Sequence, residues 1–79
     1  MNINNILVVE DEAIVSKDIQ QSLKKLGYNI VGSAATGEKA VELAMETKPD
    51  LVLMDIMLKG KMSGIEAAEV IKKELCIPI

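Results

Sequence analysis

Three apolar runs recur along the chain: Ile6-Leu7-Val8-Val9, Ile30-Val31 through Ala35, and Leu51-Val52-Leu53-Met54. Each is continuous rather than alternating, the pattern of strands covered on both faces as in a parallel sheet. Segments of helical period lie between them. Val15, Ile19, Leu23 and Leu26 form an i, i+4, i+8, i+11 stripe, and Gly27 supplies a left-handed stop. A second helix is predicted to start after Thr36, to bury Ala40, Leu43 and Ala44, and to end before Pro49. The third begins at Ser63-Gly64-Ile65-Glu66, a capping box, and continues with the stripe Ile65, Ala68, Ile71 and Leu75. Cys76-Ile77-Pro78-Ile79 reads as the start of a fourth strand. The order β-α-β-α-β-α-β(start) calls for right-handed crossovers and a parallel α/β sheet.

Composition narrows this picture. A chain of 79 residues with 49% hydrophobic and 27% charged positions is one small globular domain, not a disordered segment. The net charge of −3, with basic residues scattered except for Lys24-Lys25 and Lys72-Lys73, argues against a nucleic-acid partner. No apolar stretch approaches the roughly 20 residues of a membrane span, and Met1 to Asn5 lacks the charged-then-apolar pattern of a secretory signal. Cys76, the single cysteine, has no internal partner, so the expected compartment is the reducing cytoplasm. There is no histidine, and any chemistry must rest on carboxylates, hydroxyls and lysines.

Open α/β sheets place their sites beyond the carboxyl ends of the strands, where strand order reverses. Two strands here end in acid, one at Glu10-Asp11-Glu12 and one at Asp55. In a 2-1-3 strand order, Glu10, Asp11 and Asp55 converge on one cleft. Clustered carboxylates repel unless a cation neutralises them, and oxygen ligands without His or Cys select Mg²⁺ or Mn²⁺. A carboxylate beside such an ion can attack phosphorus to give an aspartyl phosphate. Asp55 stands within the apolar run Leu51 to Leu58, where a charge is costly unless paired or bound to metal. The plainer alternative makes it the first residue of a turn, yet Ile56-Met57-Leu58 follows instead of Gly or Asn. For Glu10-Asp11-Glu12 alone, acid at a helix N-terminus is an equally good reading, and Glu12 is expected to be that case.

In this order and spacing, Ile6 to Glu12, Pro49 to Ile56 and Ser63 to Ala68 resemble the receiver domain of two-component response regulators, and Ile77-Pro78-Ile79 resembles that family's fourth strand. The resemblance covers the whole chain. It implies a flavodoxin-like open parallel sheet of order 2-1-3-4, lacking the last part of the usual five-stranded fold, in a single incomplete domain over residues 1–79. It also implies that Asp55 accepts a phosphoryl group from a sensor histidine kinase or phosphotransfer protein. Glu10 and Asp11 match the acidic pair that holds Mg²⁺, and Met57 matches the position whose backbone carbonyl is a metal ligand. The chain is then a regulatory phosphoacceptor, not an enzyme. The loop Leu58 to Gly64 is slightly long and lacks the more usual Pro after Asp55. The family's hydroxyl residue after strand four and lysine after strand five have no counterpart up to Ile79, so that about a third of an ordinary receiver of roughly 120 residues is expected to be missing. An aspartyl phosphate here is expected to be poorly held. The outer edge of strand three is expected to be open, which would favour self-association.

Other readings fare less well. A haloacid-dehalogenase-like phosphatase needs a second Asp where Met57 stands. A P-loop is approached by Gly32 and Gly37, but Glu38 and Ala40 occupy the Lys and Ser/Thr positions. An interaction module that never becomes phosphorylated stays open. The methionines read as gap-fillers, Tyr28 as packing, Cys76 as buried, and Lys59 and Lys61 as solvated.

Overall fold

The computed structural model describes residues 3–55, 58 and 62–79. It contains β1 (Asn5–Val9), α1 (Ala13–Lys25), β2 (Asn29–Ala34), α2 (Gly37–Thr47), β3 (Leu51–Met54) and α3 (Gly64–Leu75). The strands form one parallel sheet in the order β2-β1-β3. β1 and β3 pair without interruption from Ile6 opposite Leu51 to Val9 opposite Met54. Against β2 the register slips between Ile6 and Leu7, whose partners are Ile30 and Gly32, so Val31 is the extra residue of a bulge. The expected parallel α/β architecture and the 2-1-3 part of its order are present. Pro78 lies beside β3, where its carbonyl accepts the Val52 amide at 3.1 Å. Residues 76–79 form no strand.

β1 is central, and its apolar run is buried throughout. Successive side chains of a strand point to opposite faces. Leu7 and Val9 pack in one cluster with Ala34, Ala40, Ala44, Val52 and Ile71, which joins the sheet to α2 and α3. Right-handed crossovers to strands on opposite sides of β1 put α1 on the other face.

The helices end as their residues dictate. After α1, the Tyr28 amide donates to the Leu23 carbonyl and the Gly27 amide to that of Lys24. This is a Schellman turn, with Gly27 at φ +97 as predicted. Thr36 caps α2 by accepting the Lys39 amide at 3.2 Å. The capping box of α3 is formed in both directions between Ser63 and Glu66.

Two predicted faces are rotated. In α1 the inward positions are Ser16, Ile19, Gln20 and Leu23, while Val15 is exposed and Leu26, the C-cap, is 74% exposed. A buried serine escapes a hydrophobicity pattern, yet here its hydroxyl accepts the Gln20 amide at 3.0 Å, which satisfies both groups. In α3, Gly64, Ala67 and Ile71 are buried and Ile65 is 57% exposed. The small residues face inward and let the helix approach closely, which turns the larger Ile65 outward. Cys76, expected to be buried, is exposed because it forms the left-handed C-cap of α3 at φ 53.

Candidate functional site

β1 and β3 end side by side, and the pairing of β1 with both of its neighbours runs on past the last strand residues. The Asp55 amide donates to the Val9 carbonyl, and the Glu10 amide to the Ala34 carbonyl, both at 3.0 Å. These bonds fix the backbone of both acidic residues at the carboxyl end of the sheet. Ligand oxygens of Glu10, Asp11 and Asp55 all lie within 4.8 Å of one another, and all three residues are half-buried. The convergence expected from the strand order is present.

Glu10 carries the electrostatic signature of this crowding. The Glu12 amide donates to its Oε1 at 3.2 Å and pulls its carboxyl down. Desolvation, a hydrogen bond with Asp11 and the negative charges of Asp55 and Asp11 together outweigh that pull and hold it above its ordinary value. The cluster therefore has a use for a cation. Carboxylate oxygens gathered this closely would fit a hard divalent cation such as Mg²⁺. Met57, the remaining predicted ligand, lies outside the described residues, as do Lys59 and Lys61. Glu12 stands at the N-cap of α1 without a side-chain cap bond, so its amide serves the site rather than its carboxylate.

Residues 6–79 match the response regulator receiver domain. The chain belongs to this family. Receivers act in two-component signalling and are regulatory rather than catalytic. Over 74 residues the chain is 45% identical to the transcriptional regulatory protein PdtaR of Mycobacterium tuberculosis, covering 94% of this chain and 36% of that protein. Among solved structures it is similar to the signal receiver domain of a modulated diguanylate cyclase from Desulfovibrio desulfuricans G20. That likeness has a TM-score of 0.91 and 33% identity, over 98% of this chain and 62% of that one. It is also similar to the anti-anti-sigma factor PhyR of Bartonella quintana, crystallised with the anti-sigma factor NepR. There the TM-score is 0.89 and the identity 37%, over 96% of this chain and 31% of the other. The chain thus spans about a third of the length of PdtaR and PhyR.

Two features outside the acidic cluster were not predicted. Ser16, Gln20, Lys17 and Ser33 line a cavity of about 450 Å³ that opens beside Glu10 and Asp11. At the opposite end of the sheet, the Asp50 carboxylate accepts the amides of Asn4 and Asn5 at 3.1 and 2.8 Å, which lowers its pKa. The Pro-Asp pair before β3 is the only hint of this in the sequence. Among the described residues, no helix is long and apolar enough to cross a membrane.

Proposed function

We propose that residues 1–79 form one receiver unit that accepts a phosphoryl group on Asp55 with a divalent cation, Mg²⁺ or Mn²⁺, held by Glu10, Asp11 and Asp55 and by the Met57 carbonyl. One observation carries this reading. Three carboxylates from the ends of two adjacent strands come within 4.8 Å of one another, an arrangement costly without a cation. When bound, the ion supplies charge neutralisation for the carboxylates and for an incoming phosphoryl group. Glu10 and Asp11 orient and hold; Asp55 is the nucleophile. Its carboxylate oxygen forms the new P–O bond while the P–N bond to the donor histidine breaks, and the released imidazole takes a proton. The chain assists this transfer and the later hydrolysis without acting on a separate substrate.

The donor in this reading is a sensor histidine kinase or a phosphotransfer protein in the cytoplasm. Ile14 and Val15, in the first turn of α1 and close in sequence to the acidic pair, are 86% and 39% exposed, which suits docking of a protein surface there. An alternative is favoured by the PhyR complex with an anti-sigma factor: a module whose work is association, here through apolar surface or the sheet edge, without productive phosphorylation. Mg²⁺-dependent labelling by acetyl phosphate separates the two. The phosphoacceptor reading expects one phosphoryl group per chain, absent in Asp55→Asn, whereas the association reading expects no label.

A further inference from the structure

The acidic pair lies on a short span held between two anchors. At one end the Glu10 amide donates to the Ala34 carbonyl at 3.0 Å, which ties the span to the end of β2. At the other the Glu12 carbonyl accepts the Ser16 amide at 2.9 Å, the bond that opens α1. Between the anchors the Glu12 amide donates to Glu10 Oε1 at 3.2 Å. How well that amide meets the carboxylate therefore depends on where the first turns of α1 sit against the sheet.

Little apolar packing holds those turns. Ser16 is the one buried residue of α1, whereas Ile14 and Val15 beside it are exposed and Ile19 is half-buried. Burial of an apolar stripe, which ordinarily docks a helix, contributes nothing at a serine. The space below is not filled either: Ser16, Gln20 and Ser33 share the walls of the 450 Å³ cavity with Glu10 and Asp11. Seating falls to the bond in which the Gln20 side-chain amide donates to Ser16 Oγ at 3.0 Å. That bond lets both polar side chains face the sheet. Once it is broken, Gln20 is free to turn its amide to water, and the helical turns above the cavity loosen.

We propose that Ser16 and Gln20 are positioning residues for the cation site, whose hydrogen bond seats α1 so that the Glu12 amide orients the Glu10 carboxylate. The inference rests on the reading in which Glu10 and Asp11 hold a divalent cation. Neither Ser16 nor Gln20 is a ligand in it. Groups that orient a metal ligand without touching the metal still govern affinity, because a ligand held in place gives up less freedom on binding. The connection runs through one turn of helix and two printed backbone contacts, from Ser16 to Glu12 and from Glu12 to Glu10.

The test compares the wild-type chain with Ser16→Ala, Gln20→Ala, the double variant, Ser16→Thr and Gly27→Ala. Mn²⁺ affinity is measured by calorimetry on protein that circular dichroism shows to be folded, and amide exchange at Glu12 is measured without metal. Ser16→Ala and Gln20→Ala are each expected to weaken Mn²⁺ binding about three- to tenfold and to speed Glu12 exchange. The double variant should be no weaker than either single one, because all three lack the same bond. Ser16→Thr keeps the hydroxyl, and its added methyl faces the cavity, so it should bind as wild type does. Gly27→Ala destabilises the turn after α1 without touching the site, and it should also keep wild-type affinity. Wild-type affinity in Ser16→Ala overturns the inference, as does a Ser16→Thr or Gly27→Ala variant as weak as Ser16→Ala. A wild-type chain that binds no Mn²⁺ overturns the cation reading itself, and this inference with it.

Discussion

Replacing Asp55 with asparagine removes one charge from a cluster whose oxygens lie within 4.8 Å of each other. At that separation two unit charges repel by about 1 kcal/mol in bulk water and about 3.5 kcal/mol at an effective dielectric of 20. The three residues are half-buried, and solvent and salt screen them, so the lower part of that range applies. Against the pull of the Glu12 amide, desolvation, Asp11 and the charge of Asp55 hold Glu10 above its ordinary pKa. Without divalent cation, Asp55→Asn is therefore expected to stabilise the fold by about 1–2 kcal/mol. In a domain of this size each kcal/mol moves the thermal midpoint by about 4–8 °C. Mg²⁺ should act oppositely on the two proteins. It binds the folded wild type and raises its midpoint, and it raises that of Asp55→Asn less, because a ligand is gone. Thermal melts followed by circular dichroism, in EDTA and across a Mg²⁺ series, measure both effects. An Asp55→Asn midpoint at or below wild type in EDTA, or equal Mg²⁺ shifts in both proteins, would refute the electrostatic argument.

Further perturbations probe the fold that carries the site. Ile71→Ala empties a fully buried position between α3 and the sheet. It is expected to cost about 2–5 kcal/mol, enough to unfold most of so small a domain, as seen in urea titrations. Gly27→Ala meets no atom within 4 Å, so its cost of about 1 kcal/mol comes only from the backbone at φ +97 and should appear as a few degrees in the midpoint. Two carboxyls shape the pH dependence with opposite sign. Because Glu10 is raised in the fold, its contribution is present below its unfolded pKa and lost as pH rises through the folded one; Glu10→Gln should abolish that decline in metal-free protein. Because Asp50 is lowered, its contribution is present above its unfolded pKa and lost as pH falls through the folded one; Asp50→Ala should flatten the acid limb of urea stability.

Physical reasons separate what could be read from the chain from what could not. β1 was legible because a central parallel strand needs an unbroken apolar run, and Ile6 to Val9 is one. The acidic convergence was legible because strand ends and strand order together fix where Glu10, Asp11 and Asp55 must meet. The inward face of α1 was not, since Ser16 and Gln20 are polar and their mutual hydrogen bond exists only once the helix has docked. The face of α3 was misjudged at Ile65 because hydrophobicity favours the large residue, whereas close packing favours Gly64 and Ala67. The bond from Met62 to Glu38 joins residues far apart in sequence, and no local pattern announces it.

The central claim is that Asp55 is a cation-assisted phosphoryl acceptor, and intact-mass spectrometry after incubation with acetyl phosphate tests it most directly. The account predicts a gain of one phosphoryl group that requires Mg²⁺ or Mn²⁺, maps to Asp55, and disappears in Asp55→Asn. A chain that gains no mass with the cation present, or one that gains it equally in Asp55→Asn, would contradict the account.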